Sequence, residues 1–254
     1  MVEYHGSRSG FGVHEDFLIP MTAITWGTGT VVLGNLGFCS VNEGSFAQTV
    51  DEPGGILAIT TDTGDDDNAV LYAGVFQPAD GPTFCEGRFK WNSATLGAIY
   101  LGFTETLSTA TPVMPGEFAT TTMTYNGTGG MVGVNWDSDG TTDDFRSVFG
   151  DAGVISGTSS TVGRERVLGD AYVADRWVLA RAEIDPDGRA RVYVGARGVP
   201  GSPGSWRLVE ERAAVVTPGD NFFAVLMFEN RSGAARLFEV DYFEAWGSRD
   251  WDDA

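Results

Sequence analysis

The chain has 254 residues, of which 42% are apolar and 12% aromatic. That is enough to enclose a sizeable core and too much for a disordered chain. Acids outnumber bases 35 to 16, the formal charge is −19, and Lys90 is the only lysine. This balance leaves no basic stripe for nucleic acid and repels anionic membranes. Thirty-five glycines and ten prolines exclude a helical bundle.

In chain order, residues 1–15 are polar and glycine-rich and read as an extended N-terminal arm. Phe11 and Val13 are expected to dock on a partner subunit, while Phe17, Leu18 and Ile19 enter the first strand of the body. The alternative is an arm folded back on its own sandwich. Met1 to Gly12 shows no basic start followed by an apolar run, so no signal peptide is read. No apolar run approaches the ~20 residues that span a bilayer, which points to synthesis and folding in a cytoplasm.

Apolar, β-branched runs then recur between turn signals: Thr30–Leu33, Gly55–Thr61, Ala69–Ala73, Thr83–Trp91 and Leu96–Phe103. Arg146–Phe149 is the best candidate for a single helical turn. The clearest local unit is a hairpin over Trp177–Val194. Val178, Ala180, Ala182 and Ile184 alternate on one face, and Asp185-Pro186-Asp187-Gly188 supplies the turn. Strands over Asn221–Phe228 and Ala235–Trp246 follow. About a dozen strands in one domain, residues 16–247, predict an all-β, two-sheet antiparallel β-sandwich. Residues 248–254 form an acidic tail. Cys39 and Cys85 fall in different strands and are expected as two free buried thiols rather than a disulfide.

The order of strands resembles the concanavalin A-like jelly roll. Four segments carry the resemblance: Gly54–Thr60, Phe84–Trp91, the Trp177–Val194 hairpin and the last strand Leu237–Trp246. A narrower pattern is Glu15–Leu18, Gly54-Gly55, and Thr61–Gly64 with Asp65–Asn68. It resembles tailed-phage virion proteins of this fold, which decorate heads or build fibres. That resemblance implies a non-enzymatic structural protein located in the virion, forming a homo-oligomer, with the major capsid protein or other virion subunits as partners. The alternative is a lectin-like carbohydrate-binding module with glycans as partners; a glycoside hydrolase comes third.

Three constellations bear on chemistry. Glu239-Val240-Asp241-Tyr242-Phe243-Glu244 has the Glu-x-Asp-x-x-Glu spacing that supplies nucleophile and acid/base in the β-glucanases. Those enzymes carry it mid-chain, and here it lies on the final strand. Glu239 and Asp241 are therefore expected to pair with arginines or turns near the sandwich edge, and no catalytic residue is expected. Asp137–Asp144 and Gly64–Asn68 each resemble part of a calcium loop but lack the full ligand set, and read as acidic turns. No cofactor is expected, calcium being the one candidate. His5 and His14 lie in the arm without converging ligands, so no metal site is expected there. Of the seven tryptophans, four or five are expected in the core. Trp206, after the loop Gly201–Ser205, and Trp251, in the acidic tail, are the expected exposed partner contacts.

Overall fold

The computed structural model describes residues 10–15, 17, 24–26, 29–33, 36–40, 44–48, 55–120, 122–140, 145–151, 154, 155, 174–195 and 206–248. Among them are nineteen strands and one short 3-10 turn, Pro78–Asp80. The first strands are Gly10–Glu15 (β1), Ile24–Trp26 (β2), Gly29–Leu33 (β3), Leu36–Ser40 (β4), Gly44–Gln48 (β5), Leu57–Thr61 (β6) and Asn68–Phe76 (β7). Next come Thr83–Trp91 (β8), Gly97–Thr104 (β9), Gly116–Ala119 (β10), Thr122–Tyr125 (β11), Met131–Asp137 (β12), Arg146–Asp151 (β13) and Val154–Ile155 (β14). Val178–Ile184 (β15), Ala190–Gly195 (β16), Trp206–Arg212 (β17), Phe222–Asn230 (β18) and Leu237–Ser248 (β19) complete the set.

They form two antiparallel sheets. The first runs β17-β16-β15-β8-β19-β6-β5-β2, with β1 added on β19; the second runs β14-β13-β12-β9-β18-β7-β4-β3. A separate hairpin, β10–β11, packs Phe118 and Met123 against Met131 and Val148 on the outer side of the second sheet. Between the sheets, Val178, Ala180, Ala182 and Ile184 of β15 join the main core as their alternation requires. Trp91 of the first sheet meets Trp136 of the second with ring centroids 4.6 Å apart. Phe89 likewise meets Phe228 edge-on at 6.2 Å. The two-sheet sandwich is as the sequence implies. The hairpin turn is too: Gly188 takes φ +76° and its N–H donates to the Asp185 carbonyl at 2.9 Å.

Three expectations are corrected. Arg146–Phe149 is not a helical turn; it opens β13, paired to β12, because a four-residue helix has no way to recover its nucleation cost. The arm does not stand off the body over its whole length. β6 flanks only Leu237–Val240 of β19, and β1 takes the remaining flank, from Gly10 opposite Ser248 to Glu15 opposite Phe243. Backbone groups of β19 that would otherwise lack partners are thereby paired. Val13 is 6% exposed and belongs to the protein's own core rather than to a partner contact. Phe17 is also buried, at φ +52°. Finally, among the described side chains Trp91 and Trp136 are fully buried, whereas Trp177, Trp206 and Trp246 are half-buried.

Candidate functional site

The acids of the last strand lie on the outer face of the first sheet. Phe238, Val240, Phe243 and Ala245 point into the core. Strict alternation would place Glu239 and Asp241 on one face and Glu244 on the other. A register shift between Val240 and Tyr242 inserts an extra outward residue and brings all three acids to the same face. There each of the first two meets a cation from β8. Lys90 Nζ lies 2.9 Å from Glu239, and Arg88 lies 2.7 Å from Asp241. Asp241 has the expected arginine and Glu239 a lysine instead, and both pairs sit mid-sheet rather than at the edge, since β19 lies between β8 and β6.

Glu244 faces Glu86 across the ladder. Burial pushes the Glu86 carboxyl up, Arg181 opposes the rise, and the Glu244 charge adds to it. Glu86 accepts hydrogen bonds from the Tyr242 hydroxyl at 3.1 Å and from Arg181 at 3.2 Å. Aromatic rings fill the gaps between these charges. The Trp177 ring lies 4.3 Å from the Arg88 guanidinium and 4.8 Å from Lys90 Nζ, and Arg181 stacks over Phe84 at 4.1 Å. β1 places the backbone of His14 opposite Glu244.

A second region lies at the far end of β9. A shallow cleft of about 70 Å³ is walled by Thr104, Thr106, Ser108, Thr111, Tyr125 and Asn126. Internal hydrogen bonds hold its walls. The Ser108 and Thr111 hydroxyls are 3.0 Å apart, and Asn126 Nδ2 donates to the Met114 carbonyl at 3.0 Å. Close by, Glu105, Asp151 and Asp220 each offer an oxygen within 4.8 Å of the others. Burial, then Glu105 and Asp151, push the Tyr125 phenol up to about 12. The Glu105 carboxyl rises through burial, with Asp220 and Asp151 adding to it. Three carboxylates are half of the smallest calcium shell. The sequence reading passed over this region. Its one signal was the hydroxyl-rich run from Thr104 to Thr111.

The two half-loops read as calcium candidates come together at a residue that the sequence did not single out. Arg231, just after β18, reaches Asp66 Oδ1 at 2.9 Å and Asp137 Oδ2 at 2.9 Å. It also contacts Glu229 Oε1, and its Nε lies 3.9 Å from Asp139. Asp137 further accepts the Phe118 N–H at 2.8 Å and the Asp139 N–H at 3.0 Å. Glu229 is wholly buried; burial pushes its carboxyl up to about 8 against the pull of Arg231. The remaining residues of that turn, 141–144, lie outside the described residues, as do His5, Trp251 and the tail after Ser248. Phe11 is described by its backbone, which pairs with Gly247. Trp206 opens β17 opposite Gly195 rather than extending a loop, and Leu208 beside it is 47% exposed. Cys85 is a free buried thiol, pushed far up by burial, on β8; Cys39 lies on β4 of the other sheet.

No protein-family model and no curated protein matches the sequence. Solved structures do match in fold. A protein of unknown function from Shewanella oneidensis gives a TM-score of 0.51 at 13% identity, covering 96% of this chain and 88% of that one. Peanut lectin gives 0.50 at 12% identity, covering 89% and 97%. The carbohydrate recognition domain of Emp47p gives 0.51 at 13%, covering 86% and 90%. The fold is therefore the concanavalin A-like sandwich that the sequence implied. At these identities the likeness extends to the fold alone. No helix among the described residues is long and apolar enough to cross a membrane.

Proposed function

We propose that the protein is a non-enzymatic binding domain that takes carbohydrate at the cleft beside Tyr125. The cleft carries the reading: hydroxyl and amide side chains, with the apolar Val113 and Pro115, line it around one half-buried aromatic ring. Sugars are recognised by this combination of directional hydrogen bonds and ring contact. A volume of about 70 Å³ is well below the ~300–1,000 Å³ of enclosing ligand pockets. The cleft therefore accepts the edge of one ring and leaves the rest of a glycan outside. The pairing of two acids of the Glu-x-Asp-x-x-Glu triplet, Glu239 and Asp241, favours binding over hydrolysis. A retaining glycosidase needs a free carboxylate nucleophile and a protonated partner, whereas Glu239 and Asp241 are each neutralised by a cation. The fold is also that of peanut lectin and the Emp47p carbohydrate recognition domain.

A glycan array probed with the full chain tests this, followed by calorimetry on a hit with Tyr125→Ala and Asn126→Ala. Weakening of at least tenfold in both variants is expected. Unchanged binding overturns the cleft, and hydrolysis of a glucan that is lost in Glu244→Gln overturns the non-enzymatic reading. The virion setting rests on the sequence resemblance over residues 15–68. It is tested by co-sedimentation with empty capsids, where a protein that stays in the supernatant counts against it.

A further inference from the structure

We propose that Asn126-Gly127 is a self-modifying site: Asn126 deamidates through a succinimide, and the product unlatches the segment that covers the outer face of the second sheet. Asn126 is the only asparagine of the chain followed by glycine. It opens the turn 126–130 between β11 and β12, in which three of five residues are glycine. Glycine has no Cβ to obstruct its own nitrogen, and its backbone turns freely. Among the described residues the Gly127 N–H has no hydrogen-bond partner, so nothing there holds the nucleophile away from the preceding side chain. Both residues are half-buried, which leaves water access for the hydrolytic step.

Loss of the Gly127 amide proton to hydroxide or a buffer base lets this nitrogen attack Asn126 Cγ. The N–Cγ bond forms, the Cγ–Nδ2 bond breaks, and Nδ2 takes up a proton and leaves as ammonia. Water then opens the cyclic imide. Cleavage at Cγ gives aspartate, and cleavage at the backbone carbonyl gives isoaspartate. One water enters, one ammonia leaves, no atom changes oxidation state, and the chain gains one negative charge.

The amide that is lost is a clasp. Asn126 Nδ2 donates to the Met114 carbonyl at 3.0 Å, and the Asn126 N–H donates to the Pro115 carbonyl at 3.0 Å. These bonds hold the end of residues 105–115, which join β9 to β10. Met114, 0% exposed, and Leu107 anchor that segment on Val70, Tyr100, Val225 and Met227. Residues 108–111 between the anchors are exposed. A carboxylate at position 126 sets an acceptor against the Met114 carbonyl where a donor stood. It also adds charge to the field of Glu105 and Asp151 around Tyr125. The covalent step is independent of the glycan reading, whereas its effect on the cleft that Asn126 lines rests on that reading.

The test incubates the full chain in mildly alkaline buffer and follows its chymotryptic peptides by mass spectrometry. Asn126 is expected to exchange amide for carboxylate roughly tenfold faster than Asn92, which is more exposed but precedes Ser93. Isoaspartate is expected as a separate chromatographic peak. Gly127→Ala is expected to slow the reaction by a similar factor. Gly127 does not take a positive φ, and the added Cβ meets side chains alone, Thr106 Oγ1 at 3.2 Å and Tyr125 Cε1 at 3.5 Å. Brief treatment with hydrogen peroxide then reads the clasp. In the aged chain and in Asn126→Asp, Met114 sulfoxide is expected to form roughly tenfold faster than in fresh wild type, while buried Met131 is unchanged. An Asn126 no faster than Asn92, or one unaffected by Gly127→Ala, overturns the site. Unchanged Met114 in a chain shown to be deamidated overturns the unlatching. If Asn126→Asp does not fold, the aged wild type decides. A fresh chain that binds no glycan defeats the carbohydrate reading and leaves the mass and peroxide results standing.

Discussion

The outer face of the first sheet and the cradle around Arg231 are both built from buried or half-buried charge, yet they solve the problem differently. On the first sheet acids meet bases beside them on the same or neighbouring strands: Glu239 pairs with Lys90 and Asp241 with Arg88, while Asp185 and Glu211 share Arg191. Aromatic rings separate the pairs. In the cradle a single arginine serves four acids. Strand pairing at fixed spacing limits each base to the acids beside it in the ladder, because cross-strand neighbours are set by register. Turns that meet at the end of a sheet have no such spacing, and there one planar, multidonor side chain has to bridge several partners.

The comparison breaks most severely at Arg231. Arg231→Met leaves Asp137 buried without a counter-charge, and a loss of about 3–5 kcal/mol is expected, read from denaturant unfolding. Next in size is Glu86, which has the like charge of Glu244 opposite. Its folded pKa lies above its unfolded value. The folded form therefore holds its proton longer, the associated stability is complete below the unfolded pKa, and it is lost as pH rises through the folded pKa. Glu86→Gln should flatten the fall of stability above about pH 4.3; a variant whose pH profile parallels the wild type contradicts the assignment. Arg88→Ala removes one pair and one ring contact, each about 0.5–1 kcal/mol, so a melting shift near the sum is expected. Tyr125→Phe should be smallest, within about 0.5 kcal/mol, while it removes one of the phenol titrations near pH 12, Tyr193 giving another, from the absorbance curve.

Strands with one polar face were legible in the sequence. The reading of Thr83–Trp91 coincides with β8, and the 177–194 hairpin falls within a residue or two of β15 and β16. β12 was not read: like β9 it is buried throughout and shows no alternation, but Gly133, Asn135 and Asp137 also interrupt the apolar run that made β9 visible. The three acids on the last strand were visible, but their common face was not, since a bulge belongs to the pairing of two strands and not to either sequence. Arg231 gave no local signal at all. Its partners Asp137 and Asp66 lie 94 and 165 positions away, and only the folded chain brings them within reach.

The pairing of β1 with β19, Gly10 against Ser248, has a kinetic consequence. The first described strand has no partner until residues 243–248 have been synthesised. Contacts this distant in sequence carry the largest loop-closure cost and slow the search for the native state. β1 should therefore dock last, onto an otherwise finished sandwich, and in pulse-labelling hydrogen exchange its amides should gain protection after those of the β15–β16 hairpin.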